Sequence, residues 1–174
     1  MCYLLDGITV DKAAKRCKLF YEIKVNNPKL FLNRDPDLKE VQQCLKGQNC
    51  FFLPITPEGK LVIFLSLIDL KASNWHFDES AKTCLMVCEE CICINGPTKG
   101  IDFLIDMKGA TLAHLTRPNI KTVVTMIKFA FYACPAYIKG VHILNTPSFF
   151  DMIIKLFFKP FINKELKDLV RCDP

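Results

Sequence analysis

Cysteine and histidine are the side chains here best suited to metal or nucleophile chemistry, and their spacing limits what they can do. The chain has 174 residues, with ten cysteines and three histidines. Cys84, Cys88 and Cys91 recur at i, i+4 and i+7, with Cys93 close behind. That spacing is one face of a helix. A structural metal site asks for four convergent ligands, usually as two separated pairs. No second Cys-x-x-Cys pair follows, and His76, His114 and His142 are scattered. Disulfide scaffolds are small and poor in core, whereas this chain is 51% hydrophobic. The pattern predicts reduced thiols packed as small apolar groups.

Catalytic constellations fare no better. His142 lies in an apolar run, and no Gly-x-Ser-x-Gly elbow supplies it with a nucleophile. Asp102 and Asp106 share one face of a strand. Asp106 stands at the strand's end, placed to accept hydrogen bonds from local backbone N–H groups. Gly96-Pro97-Thr98-Lys99-Gly100 lacks the spacing of a phosphate-binding loop. The expectation is a protein that is not an enzyme, with no cofactor, no metal and no catalytic residue.

The net charge is +5. The excess sits in residues 1–47 and 137–174, while 48–136 is neutral. Nucleic-acid binding asks for a denser Lys/Arg patch interleaved with aromatics, so no nucleic-acid partner is expected. Two mildly basic ends suit transient contact with acidic phospholipid membranes. The N-terminus has no basic stretch followed by an apolar one. No run approaches the ~18 apolar residues of a bilayer span. A cytoplasmic protein, peripheral to membranes, is the expectation. Nothing in the sequence specifies an oligomeric state.

The elements that must position these residues follow from periodicity. Thr9 to Val25 reads as a helix capped by Thr9, stopped at Asn26-Asn27-Pro28; a shorter helix runs from Leu38 to Leu45. Phe51–Leu53 and Lys60–Leu65 flank Pro57-Glu58-Gly59 as strand, turn and strand. Leu61 to Leu67 is apolar enough to be covered on both faces. Asp78 to Ile92 reads as a helix capped by Asp78, Ile101–Asp106 as a strand, Pro118 to Ala133 as a helix, and Ile138 to Asn145 as a strand. Alternation of this kind is the signature of right-handed βαβ units and a parallel sheet. Ser148 to Phe158 has one narrow polar stripe, Ser148, Asp151 and Lys155, and is otherwise apolar. Such a helix is buried on most of its circumference or covers something apolar. It is too short to span a membrane.

Four pieces in order carry a resemblance: Gly-Ile-Asp-Phe-Leu-Ile-Asp-Met-Lys-Gly at 100–109, a helix closed by Ala133-Cys134-Pro135, Lys139-Gly140-Val141-His142-Ile143-Leu144-Asn145-Thr146-Pro147, and Lys159-Pro160-Phe161. Together they resemble the CRAL-TRIO lipid-binding family, with the tocopherol-transfer-like and retinaldehyde-binding-like branch nearest in flavour. The resemblance covers about Cys50 to Val170. It implies an α/β fold, a mixed, mainly parallel sheet with covering helices. Residues 1–47 would be the end of an N-terminal helical domain, and 48–174 a lipid-binding domain incomplete at its C-terminus. The chain looks short at both ends relative to the family.

The resemblance also implies a function: binding of a small hydrophobic ligand, of tocopherol, retinoid or phosphoinositide class, and its transfer between membranes from a gated apolar pocket. Positions aligned with ligand-facing ones are Thr83 and Val87, then Ile101, Phe103 and Ile105, then Phe129, Cys134 and Ala136, and Val141. The gate would be Phe149, Phe150, Ile153, Ile154, Phe157 and Phe158. Lys139 aligns with a phosphoinositide-contacting basic residue, with Lys164 and Lys167 near other such positions. Strand alternation puts Ile101, Phe103 and Ile105 on one face, leaving open whether it meets the pocket or the covering helices. The rival expectation is a truncated, non-transferring interaction module of the same fold.

Overall fold

The structure, a computed structural model, describes residues 9–96, 98–153 and 168–172. Helices α1 (Val10–Asn26), α2 (Pro28–Phe31) and α3 (Lys39–Gly47) lead into strands β1 (Gln48–Leu53) and β2 (Leu61–Leu67). Helix α4 (Phe77–Asn95) follows, then β3 (Ile101–Asp106), α5 (Leu112–Leu115), α6 (Ile120–Lys128), β4 (Ile138–Leu144), α7 (Phe150–Ile153) and β5 (Val170–Cys172).

The sheet runs β1-β2-β3-β4-β5 in chain order. β1 and β2 form an antiparallel hairpin, closed where Gly59 adopts φ +81 and donates to Thr56 O at 2.8 Å. β2, β3, β4 and β5 are parallel neighbours. The alternation predicts the parallel part, and the whole is the mixed, mainly parallel α/β sheet that the resemblance implies. Register sets Leu61 beside Ile101, Ile63 beside Phe103, and Leu65 beside Ile105, with Val141 and Ile143 next along. These apolar side chains therefore form one continuous face. Helix α4 lies on it.

Local signals explain most boundaries, and the differences have local causes. Thr9 occupies the cap position of α1, but its side chain makes no cap hydrogen bond. Helix α4 begins one residue before Asp78, with His76 at the cap position. Asp78 instead accepts from Thr122 Oγ1 at 2.7 Å, tying α4 to α6. Helix α6 starts after Pro118, capped by Asn119, whose Oδ1 accepts from Lys121 N at 2.9 Å. It ends in a π turn, Phe129–Ala133, which delivers the chain to Cys134-Pro135. The short α5 and β5 are additions that periodicity does not announce, since neither is long enough to show a period.

Two clusters make the core. One joins Ile23 of α1, Leu30 and Phe31 of α2, Ala81 and Leu85 of α4, and Phe129, Ala133 and Cys134. The other joins Cys50, Leu61, Ile63 and Ile101 of the sheet to Cys84, Cys88 and Cys91 of α4. The cysteine face of α4 is thus seated on the sheet. The thiol of Cys50 is pushed up by its hydrogen-bonded contact with Cys84 and by burial. At Cys88 the hydrogen-bonded contact with Cys84 lowers the thiol, but burial and the neighbouring Cys134, Cys50 and Cys91 together leave it raised. A raised thiol opposes thiolate formation and suits a packing role.

Ile63 is 0% exposed and Val10 73%. Ile63→Ala should lower unfolding free energy by about 2–5 kcal/mol, whereas Val10→Ala should change it by less than about 0.5 kcal/mol. Urea denaturation of the two variants checks the contrast.

Candidate ligand cavity

At the carboxyl ends of β2, β3 and β4 the apolar sheet face continues beyond the N-terminal end of α4 and is left open. A cavity of about 360 Å³ forms there. Ligand pockets typically fall at roughly 300–1,000 Å³. Its floor is Leu65, Ile105 and Ile143, one residue from each strand. Phe77 and Trp75 stand at the start of α4, Leu115 closes α5, and Phe150 enters from α7. Phe150 is buried. Strand ends and helix starts converge here because each parallel connection leaves the sheet at this edge.

The polar side chains in the lining are Gln48, Asn49, Ser66, Ser80, Asp106 and His114. His114 is buried in the short turn of α5, where its Nδ1 accepts from Thr111 N at 3.2 Å in a capping box. Burial, with the nearby Arg117 guanidinium, holds its pKa below the usual range, against an opposing pull from Asp69. Gln48 opens β1, and its Oε1 accepts from Ser80 Oγ at 2.6 Å. At the rim, Asp106 Oδ1 accepts from Lys108 N and Asn145 Nδ2, both at 2.8 Å. The Asn145 bond, then the Lys108 bond, hold its carboxyl below the ordinary range. Asp106 is thus a turn-forming carboxylate, as its place at the strand end implies. Trp75 also lines a second, polar cleft of about 410 Å³ with Glu40, Asp69 and Glu79.

A model of the CRAL/TRIO domain matches residues 45–174. The chain belongs to the CRAL/TRIO domain family. Its members, in general, bind and transfer small hydrophobic ligands. Among solved structures the chain is similar to one titled "Crystal structure of Sfh5", with a TM-score of 0.64 at 11% identity. The match covers 94% of this chain and 61% of that one. At that identity the likeness is one of fold, and it agrees with the sheet order and helix placement above. No curated protein matches the sequence.

The cavity of this CRAL/TRIO domain gathers some of the residues aligned with family ligand contacts and leaves others in the core. Ile105 lines it. Ile101 is buried under α4, and Phe103 and Val87 pack against the same cluster. Ile101, Phe103 and Ile105 do share a face, which meets the covering helix for most of its length and the cavity only at Ile105. Thr83 is buried, with its hydroxyl donating to Glu79 O at 2.9 Å. Phe129 and Cys134 sit in the first cluster, Phe129 with ring centroids 5.1 Å from Phe31. Ala136 packs against both clusters. Val141 pairs beside Phe103, behind Ile143.

Of the expected gate, Phe150 lines the cavity and Phe149 is half-buried beside it. Ile153 ends α7. Ile154, Phe157, Phe158, Lys164 and Lys167 lie outside the described residues. Lys139 is exposed at the opposite end of β4, with Nζ 5.3 Å from the Tyr137 ring. It packs over Gly100, where the backbone takes φ +137 and no side chain would fit. Gln48, Trp75, Phe77 and His114 form much of the cavity wall, yet none stands out in the sequence. Each comes from a different segment, and only folding brings them together.

A histidine whose folded pKa is depressed stays neutral while its unfolded counterpart takes up a proton below about pH 6.5. The unfolded state then binds more protons, so stability is lost as the pH is lowered through that window. Above about pH 6.5 the group contributes no slope. Asp69 and Asp106, both lowered, contribute only in the carboxylate range, below about pH 4. His114→Phe should therefore flatten the loss of stability between about pH 6.5 and 5, measured from urea midpoints.

Proposed function

We propose that this CRAL/TRIO domain is a carrier rather than an enzyme, holding one small hydrophobic molecule over Leu65, Ile105 and Ile143 and moving it between membranes. One observation carries the reading: a cavity of ligand size with an apolar floor, into which Phe150 projects from the segment whose sequence is apolar on nearly every side. Burying ~400 Å² of apolar ligand surface would give about 10 kcal/mol at 25 cal/mol per Å², before association costs. Tight binding then needs few polar contacts.

The same tightness slows release, and a gate answers that problem. Phe149, Phe150 and the residues after them would form it, one side closing the cavity and another meeting lipid when open. Lys139 beside Tyr137 would favour acidic membranes. Tocopherol, retinoid and phosphoinositide classes remain the family-derived candidates, and the setting is the cytoplasmic surface of membranes. A cavity of about 360 Å³ speaks against the collapsed pocket of a non-transferring module.

Native mass spectrometry of the purified chain, followed by organic extraction, should reveal a stoichiometric lipophile. Phe150→Asp places a charge in an apolar wall, at a cost of several kcal/mol to the closed state. It should lower vesicle-to-vesicle transfer by ~10-fold or more while circular dichroism shows a folded chain. Unchanged transfer by a folded variant would sink the gate.

A further inference from the structure

Helix α1 has two apolar faces and buries one of them. Ala13 and Ile23 are buried, and Phe20 packs on Phe129 with ring centroids 5.5 Å apart. Val10, Ala14, Cys17, Tyr21 and Val25 recur at spacings of four, three, four and four. At 3.6 residues per turn they fall within about 80° of arc, roughly a third of a turn from the buried face. Val10 is 73% exposed, Tyr21 63% and Val25 76%, while Ala14 is exposed and Cys17 half-buried. Single exposed apolar residues are ordinary. A row of them running the 17 residues of a helix is a patch of the kind that marks an interaction.

The shape and the charges of the row narrow what covers it. A helix that lies on a bilayer presents a broad face of large side chains, whereas this row is narrow and mostly small. Its spacing is that of a coiled-coil seam, which takes a second helix. On one side the row borders the domain itself, where Lys24 Nζ meets Glu89 Oε1 at 2.9 Å. On the other side stand Asp11, Lys15, Lys18 and Glu22, all exposed, with Lys18 Nζ 3.7 Å from Glu22 Oε1. That flank reads negative, positive, positive, negative. A second copy of α1 fits it badly. Antiparallel pairing that sets Val10 against Val25 also brings Asp11 near Glu22 and Lys15 near Lys18, like charge against like. Parallel pairing sets every charge against its own twin.

We propose that the outer face of α1 docks an amphipathic helix of a partner protein, one with apolar residues at the same spacing, acidic side chains at the centre of its flank and basic ones at either end. The apolar row supplies the contact area. The flank fixes register, with acids facing Lys15 and Lys18 and bases facing Asp11 and Glu22. No residue of α1 is among the described residues that line the cavity, so this surface is independent of the carrier reading.

The test titrates the full chain into two labelled helical peptides of about the length of α1 and follows fluorescence anisotropy. Both carry leucine at the seam spacing. The matched peptide has glutamate facing Lys15 and Lys18 and lysine facing Asp11 and Glu22; the inverted peptide has these charges exchanged. The matched peptide should bind ~10-fold more tightly than the inverted one. Tyr21→Glu should weaken it ~10-fold or more, and Lys15→Glu with Lys18→Glu should reverse the preference. Binding of neither peptide, equal binding of both, or a preference that survives the double charge reversal in a chain folded by circular dichroism overturns the proposal. So does a concentration-dependent dimer in sedimentation equilibrium that Tyr21→Glu dissolves, which gives the face to a second copy. Cosedimentation with phosphatidylcholine–phosphatidylserine vesicles that Tyr21→Glu abolishes gives it to a membrane and overturns it equally. The two peptides on the unmodified chain decide the matter even where a variant fails to fold.

Discussion

Four parallel strands laid side by side in chain order constrain everything else in this domain. Each step between parallel neighbours requires the chain to return along one face of the sheet, and right-handed crossovers return on the same face. Helix α4 sits on β1 and β2, α6 packs against α4, and Phe150 of α7 lines the cavity with Leu65, Ile105 and Ile143. The apolar face therefore has two tenants. Helix α4 and its cysteines cover the amino-terminal part, and the cavity occupies the carboxyl ends, where the helices begin.

The division between core and cavity follows from how far α4 extends. Its cysteine face seats on Leu61, Ile63 and Ile101, where small thiols allow close approach of helix and sheet. The first helical turn contributes Phe77 and Ser80 to the cavity wall. Residues along the same strand face thus have different roles for a geometric reason: Ile101 is under the helix and Ile105 is past it. The N-terminal helices take part as well, since Phe31 and Ile23 complete the cluster around Phe129. Arg16 binds Cys134 O at 2.8 Å and lies 4.5 Å from the centre of the Tyr137 ring, securing the chain as it enters β4.

The polar features of the cavity depend on the same edge. β1 is antiparallel to β2, so its first residue, Gln48, lies beside Leu67 at the strand ends where the parallel connections emerge. The loop after β3 brings His114 to the same place. Both residues are buried there, 5% and 2% exposed.

Much of this was legible in residues alone. Periodicity identified α1, α4, α6 and the strands β2, β3 and β4, because each is long enough to repeat a burial pattern. The helical spacing of Cys84, Cys88 and Cys91 marked a packed face, and the order of motifs from Gly100 to Phe161 marked the family. What the sequence could not decide was which end of an apolar face is filled by a helix. Ile101, Phe103 and Ile105 look alike in a strand; their difference is created by the length and docking of α4. Gln48, Trp75 and His114 carry no local signal either, for they lie in separate segments and become neighbours only when the hairpin, the start of α4 and the turn of α5 meet at one edge. Short-range patterning determines elements; the convergence of distant segments, which no local pattern encodes, determined the site.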